Sequence, residues 1–227
     1  MAPADQVVPA HLILIRHGES NVTVSRTIGG FRSCTGLSDL GQRQAVRLRE
    51  RLAQTHELAD AVLISSDFRR AMETAELISP AVGGGETVID ADFGEHDPGP
   101  EIDGMTFAQY IDRFGTPDWN GDPHQEVFPG GETAAEFRER IGSALERTIR
   151  EYPGERVIVC CHGGVIDVVF RRLLRTPLSG SFELHTLNTS ITEFRSGRDG
   201  MWRLARYNDA AHLSGLPAET PRVDAAR

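Results

Sequence analysis

The chain has 227 residues, of which 39% are hydrophobic and 25% charged, with a net charge of −9. This is the composition of a globular domain with enough apolar material for a sizeable core, and the negative balance excludes a nucleic-acid binder, which needs a basic face. No lysine occurs, so all 24 cationic side chains are arginine; a P-loop lysine, a Schiff-base lysine and a lysine base are excluded with it.

The segment Met1–Ala10 lacks the basic region and long apolar stretch of a signal sequence, and Leu12–Ile15 is too short to span a membrane. Of the three cysteines, Cys160 and Cys161 are adjacent in an apolar run and read as small core residues, so a reduced, cytoplasmic setting without a membrane partner is expected. Leu12-Ile-Leu-Ile15 reads as a strand buried on both faces and ending in Arg16-His17-Gly18. Ser38 is placed to cap a helix carrying Ala45, Leu48 and Leu52, running to about Thr55. Ala61–Ile64 is a second buried strand ending in Ser65-Ser66, and Asp67 begins an amphipathic helix through Ile78, closed by Pro80. A third strand, Thr87–Ile89, leads into an acidic Gly/Pro/Asp-rich stretch from about Phe93 to Gly131, expected to be irregular.

Glu132–Glu151 reads as a helix bounded by Pro153-Gly154, and Val157–Cys160 as a strand running into His162-Gly163-Gly164 and a helix to about Leu174. Residues 184–194 and 201–207, split by Ser196–Gly200, read as a closing hairpin, and the tail after about residue 208 as irregular. Strands alternating with helices imply an α/β fold with a mostly parallel central sheet and a C-terminal antiparallel hairpin. We read residues 1–227 as one domain, with a lid-like insertion at about 93–131.

Ligands of such sheets bind outside the carboxyl ends of the strands. Arg16-His17, Ser65 through Arg70, the segment after Ile89, and His162-Gly163 should therefore converge. A single histidine at a strand end is most often structural, but here two share a strand–His–Gly context. Glycine after each lets backbone approach a ligand, and the helix opening near Gly163 offers free N–H groups to an anion. Of Arg69 and Arg70, one should face solvent and the other the strand ends. Two imidazoles and two guanidiniums suit a phosphoryl group, and a neutral imidazole can attack phosphorus. No His-x-His, His-Glu-x-x-His or paired-cysteine motif is present, so neither a metal nor another cofactor is expected.

Leu14-Ile-Arg-His-Gly-Glu-Ser20 resembles the signature of the histidine phosphatase superfamily, also called phosphoglycerate mutase-like. The resemblance continues, in order, through Gly36–Gly41, Ser65–Ala75, Pro129–Thr133, Val157–Gly164 and Asn188–Ser190. It implies a three-layer α/β/α fold and phosphate transfer through a phosphohistidine. By position, His17 resembles the nucleophile, while Arg16, Arg70 and His162 resemble the groups that hold the phosphoryl oxygens; Arg70 rather than Arg69 matches, because it precedes Ala71. The family's general acid is a carboxylate after the third strand. Here Asp92–Gly104 holds one residue more than the family spacing, and Glu95 is the choice, with Asp97 and Glu101 behind it. Such an acid should have a raised pKa.

Thr23 stands where the family often has an asparagine on the phosphate, and its hydroxyl can still donate. Ile28-Gly29-Gly30 with Gly36-Leu-Ser38 is similar to the fructose-2,6-bisphosphatase branch, which puts Gly29, like Gly163, among the substrate-binding positions. The expected activity is metal-independent hydrolysis of a small phosphorylated metabolite, with one phosphate on a neutral or apolar body. A cofactor-dependent phosphoglycerate mutase is the alternative; it would need Arg113, His96 and His124 to clamp a carboxylate. A phosphate-binding protein with impaired catalysis is a third reading. An additional edge strand would permit a homodimer.

Overall fold

The computed structural model describes residues 9–83, 85–177 and 184–220; residues 1–8 of the expected domain and 221–227 of the expected tail lie outside them. A six-stranded sheet has the order β3-β2-β4-β1-β5-β6. Its strands are β1 (His11–Arg16), β2 (Val62–Ser65), β3 (Val88–Ile89), β4 (Arg156–Cys161), β5 (Ile191–Ser196) and β6 (Trp202–Asp209). β3, β2, β4 and β1 run parallel, and β5 and β6 close the sheet antiparallel. The expected α/β architecture is found.

Among the described residues, six α-helices accompany the sheet: α1 (Asn21–Val24), α2 (Asp39–Thr55), α3 (Arg69–Ile78), α4 (Phe107–Phe114), α5 (Ala134–Glu151) and α6 (Gly163–Leu174). The central strands alternate their apolar residues between two cores. Leu12, Leu14, Val157 and Val159 pack against Phe137 and Ile141 of α5 and Val165 and Val169 of α6. Ile13, Ile15, Ile158 and Cys160 pack on the other face against Leu48 and Leu52 of α2 and Ala75 and Ile78 of α3. Together these make the three-layer sandwich that explains the unbroken apolar runs.

Several boundaries differ from expectation. The helix expected from Asp67 begins at Arg69, and the one expected from Glu132 begins at Ala134, where Thr133 and Glu136 form a reciprocal capping box. Residues 184–190 are not strand; the hairpin begins at Ile191 because the preceding stretch crosses the site instead. The insertion is not wholly irregular. Its α4 is started by a Thr106/Gln109 capping box, and Ile102, Tyr110 and Phe128 form a small core of their own with Ile28. The tail forms a 3-10 turn at Ala211–Leu213 before returning toward the end of β1.

The nucleophile loop and α2 approach so closely that a side chain at Gly41 would stand 2.0 Å from the Glu19 carbonyl oxygen. A backbone atom cannot swing aside as a side chain can. Gly41→Ala should therefore cost about 1–3 kcal/mol in urea denaturation, whereas Gly85→Ala, with open space around it, should stay within about 0.5 kcal/mol.

Candidate active site

Strand register brings the two histidines together. Arg16 pairs with Cys161 across β1 and β4, and Ser65 with Cys160 across β2 and β4. The ladder runs one step further on each side: His17 N–H donates to the Cys161 carbonyl at 2.9 Å, and Ser66 N–H to the Cys160 carbonyl at 3.0 Å. His17 and His162, each the next residue after its strand, end with ring centroids 5.1 Å apart. Arg16, His17, Arg70 and His162 are all buried.

Arg70 comes from the first turn of α3 and joins the pair. Its Nε–H points at His17 Nε2, 3.1 Å away, and at His162 Nδ1, 3.3 Å away. Its Nη1 lies 3.4 Å from the Gly29 carbonyl oxygen. Arg69 turns outward to Glu73 at 2.8 Å.

These contacts fix the tautomers. The Gly18 carbonyl can only accept, so His17 Nδ1, 2.6 Å from it, carries a proton. Nε2 accepts from Arg70 and so presents a lone pair. His162 accepts from Arg70 at Nδ1 and therefore donates from Nε2 to Ser66 Oγ at 2.9 Å. Burial, then the charge of Arg70, pushes the His162 pKa well below its usual value and keeps the ring neutral. Phe68 closes one side: its ring lies 5.0 Å from that of His162, and the Arg70 guanidinium carbon sits 4.6 Å from its centroid.

Arg16 donates to the Thr186 carbonyl oxygen. Asn188 Nδ2 donates to the His17 carbonyl at 2.7 Å, and Thr189 N–H to the Arg16 carbonyl at 2.8 Å, so the stretch before β5 clasps the nucleophile strand. The tail adds Glu219, which accepts from Asn188 N–H at 2.5 Å and lies 3.9 Å from Arg16 Nη1. Thr220 N–H donates to the buried Glu19 carboxylate at 2.8 Å. Ser66, Phe68 and Asn188 lie in segments that the sequence places at the site but without individual roles, and Glu219 is outside all of them. Asn188 could have been found from its motif; Glu219, in a tail without periodicity, carried no signal.

Glu95 sits at the start of α6, the helix that His162 precedes. Its carboxylate accepts from Gly164 N–H at 3.1 Å, and a side chain at Gly164 would stand 2.2 Å from Glu95 Oε1. Arg140 of α5 fixes the backbone below it, donating to the carbonyls of Asp92 (2.9 Å), Gly94 (3.1 Å) and Glu95 (3.3 Å) while pairing with Glu132 at 2.7 Å. The other candidate acids are engaged elsewhere: Asp97 accepts from Gly99 N–H at 2.9 Å, and Glu101 pairs with Arg113 at 2.6 Å. Thr23 turns its hydroxyl to Ser20 Oγ, 2.9 Å away. Gly29 contributes the carbonyl that receives Arg70, and Gly163 is the first residue of α6. Among the described residues no group of three or more His, Cys, Asp or Glu side chains could hold a metal ion, and no helix is long and apolar enough to cross a membrane.

Residues 12–210 match the sequence profile of the histidine phosphatase superfamily (branch 1). The chain belongs to that superfamily. It is an enzyme of this group and is 31% identical over 213 residues to phosphoglycerate mutase-like protein 4 of Arabidopsis thaliana, covering 92% of this chain and 90% of the relative. It is 29% identical over 210 residues to the metal-independent phosphoserine phosphatase of the same plant, covering 90% and 84%. Among solved structures, mycobacterial glucosyl-3-phosphoglycerate phosphatase in complex with VO3 superposes with a TM-score of 0.72 at 27% identity, covering 88% and 99%.

A further imidazole supports the clasp. Thr189 Oγ1 donates to the Asn188 carbonyl, so His212 Nε2, 2.9 Å away, must donate to Thr189. Burial lowers the His212 pKa to about 4. Because His162 and His212 both bind protons less readily folded than unfolded, their stabilisation is complete above about pH 6.5 and is lost as the pH falls toward the folded values. Thermal midpoints should therefore drop between pH 7.5 and pH 5. The drop should be smaller in His212→Asn, a difference that separates this histidine from the carboxylates.

Proposed function

We propose that this enzyme is a metal-independent phosphomonoesterase that works through a phosphohistidine at His17. The observation that carries the reading is the directed lone pair: His17 Nδ1 is held by the Gly18 carbonyl, and Nε2 faces Arg70 at 3.1 Å. Arg70 itself is buried and pairs with no carboxylate among the described residues, a condition that favours an anion at that point.

His17 Nε2 attacks phosphorus in line, the N–P bond forms and the ester P–O bond breaks. Glu95 gives its proton to the departing alkoxide, which leaves as the alcohol. Glu95, now a carboxylate, takes a proton from water as the water oxygen attacks phosphorus; the P–N bond breaks and inorganic phosphate departs. Arg16 and Arg70 stabilise charge on the equatorial oxygens, each such donor being worth roughly 3–4 kcal/mol, and His162 joins them when the phosphoryl anion draws a proton onto its Nδ1, which accepts from Arg70 in the resting site. The name of the phosphoserine phosphatase relative supports metal independence, as do the guanidiniums that would repel a divalent cation from the imidazoles.

Hydrolysis is favoured over mutase chemistry by the state of the groups a carboxylate clamp would need. Arg113 is paired with Glu101, and His96 is buried among the rings of Trp119, Phe128 and Phe137 with its pKa lowered by burial.

His17→Ala should reduce phosphate release from a generic phosphoester by more than about 10³-fold, with the circular dichroism of the wild type retained. Wild type quenched during turnover should carry acid-labile phosphate at His17, and chelation with EDTA should leave the rate unchanged. Absence of label in an active enzyme would remove the covalent step. Glu95→Gln should lower kcat by about 10²-fold, most for poor leaving groups. Gly164→Ala, whose methyl group would push the Glu95 carboxylate aside and stand 3.2 Å from the Phe137 ring, should lower kcat in the same direction with a loss of thermal stability of about 1 kcal/mol.

A further inference from the structure

Phe31 is an exposed aromatic side chain, 61% accessible, in the loop two residues beyond Gly29. Its ring meets that of Phe68 edge-on, centroids 5.6 Å apart at 88°. Phe68 in turn touches His162 and Arg70. Phe31 is therefore one ring removed from His162 and Arg70, two of the groups assigned to the phosphoryl oxygens.

An exposed phenylalanine gains little from being held still, yet this one is held. The Asp103 carboxylate accepts from three backbone N–H groups of its loop: Gly30 at 3.0 Å, Arg32 at 2.8 Å and Ser33 at 3.2 Å. Charge-assisted bonds of this kind are about twice as strong as neutral ones. The same two segments are joined by main-chain bonds, from Ile28 N–H to the Met105 carbonyl at 2.8 Å and from Gly104 N–H to the Ile28 carbonyl at 3.0 Å. The insertion thus fixes the loop from outside, and the ring it presents meets the ring of Phe68.

The cations of the neighbouring segments are already engaged. Arg32 Nη2 donates to the carbonyls of Pro100 and Asp103 at 2.7 and 2.9 Å. Arg69 and Arg113 are paired with Glu73 and Glu101. A second anionic group on the substrate would compete with these contacts, whereas a flat apolar group would gain a ring face without competing with any.

Resting on the phosphatase reading above, we propose that Phe31, fixed by Asp103, is the specificity-determining contact of this enzyme and selects phosphomonoesters whose body is aromatic or similarly flat and apolar. The ring stacks on that body or meets it edge-on, while Phe68 keeps the contact continuous with the phosphoryl pocket. Asp103 acts through Phe31 as a positioning residue.

The test compares kcat/KM for 1-naphthyl phosphate with that for glycerol 2-phosphate, each measured by phosphate release. Comparing that ratio between variants cancels the difference in leaving-group reactivity. In Phe31→Ala the ratio should fall about tenfold relative to wild type, mainly through a higher KM for the naphthyl ester. Phe31→Trp should keep or raise it, and Asp103→Asn should lower it about threefold. A role confined to folding would lower both substrates equally, and that outcome, or a ratio within twofold of wild type in Phe31→Ala, overturns the proposal. Wild type that releases phosphate from neither ester overturns the phosphatase reading itself; wild type active on both, with an unmoved ratio, overturns only the role of Phe31.

Discussion

Arg70 carries a permanent charge into a position only 4% exposed, where removing an ion from water costs several kcal/mol unless something answers it. The answer here is not a carboxylate. A single Nε–H is shared between the acceptor nitrogens of two imidazoles, at 3.1 and 3.3 Å, which leaves the positive charge uncancelled while satisfying the donor. That arrangement needs both rings neutral, His17 protonated at Nδ1 and His162 at Nε2. The Gly18 carbonyl secures the first tautomer and the Arg70 Nε–H the second, and burial beside the guanidinium secures neutrality at His162. In the proposed reaction the negative oxygens of a phosphoryl group answer that charge.

The sandwich serves that contact. The register of β1, β4 and β2 sets His17 and His162 side by side, and α3 begins close enough to the end of β2 for Arg70 to reach both. Gly41 lets α2 lie against the nucleophile loop. The stretch before β5 and the returning tail clasp the same loop from the other side through Asn188, Glu219 and Thr220.

A chain with no lysine has to do its bracing with guanidinium groups, and their fork geometry suits the task. Arg140 alone reaches three consecutive-loop carbonyls and a carboxylate. Arg147 holds Asp90 and Asp92 at 2.7 and 2.9 Å. Between them they anchor the segment that carries Glu95, and the turns that follow place Asp103 under the Phe31 loop. The insertion is consequently tied to the rim of the pocket by main-chain bonds and a shared small core.

Apolar runs of four residues with polar ends were enough to read the strands, because a strand buried on both faces admits nothing else. The same runs placed Arg16, His17 and His162 at strand ends, and the position of Ala71 distinguished Arg70 from Arg69. The helix in the insertion was legible in Thr106 and Gln109 but was hidden by the surrounding Gly, Pro and Asp, and the hairpin was begun too early because residues 184–190 are apolar and β-branched enough to pass for strand. Local order along the chain settled which chemical groups stand at the mouth of the sheet. Which nitrogen of each ring accepts, which carboxylate lies at the start of α6, and that Glu219 returns to Asn188 were decided only in three dimensions. Those contacts join residues 53, 92, 69 and 31 positions apart, and a hydrogen bond depends on distances and angles that no spacing along a chain prescribes.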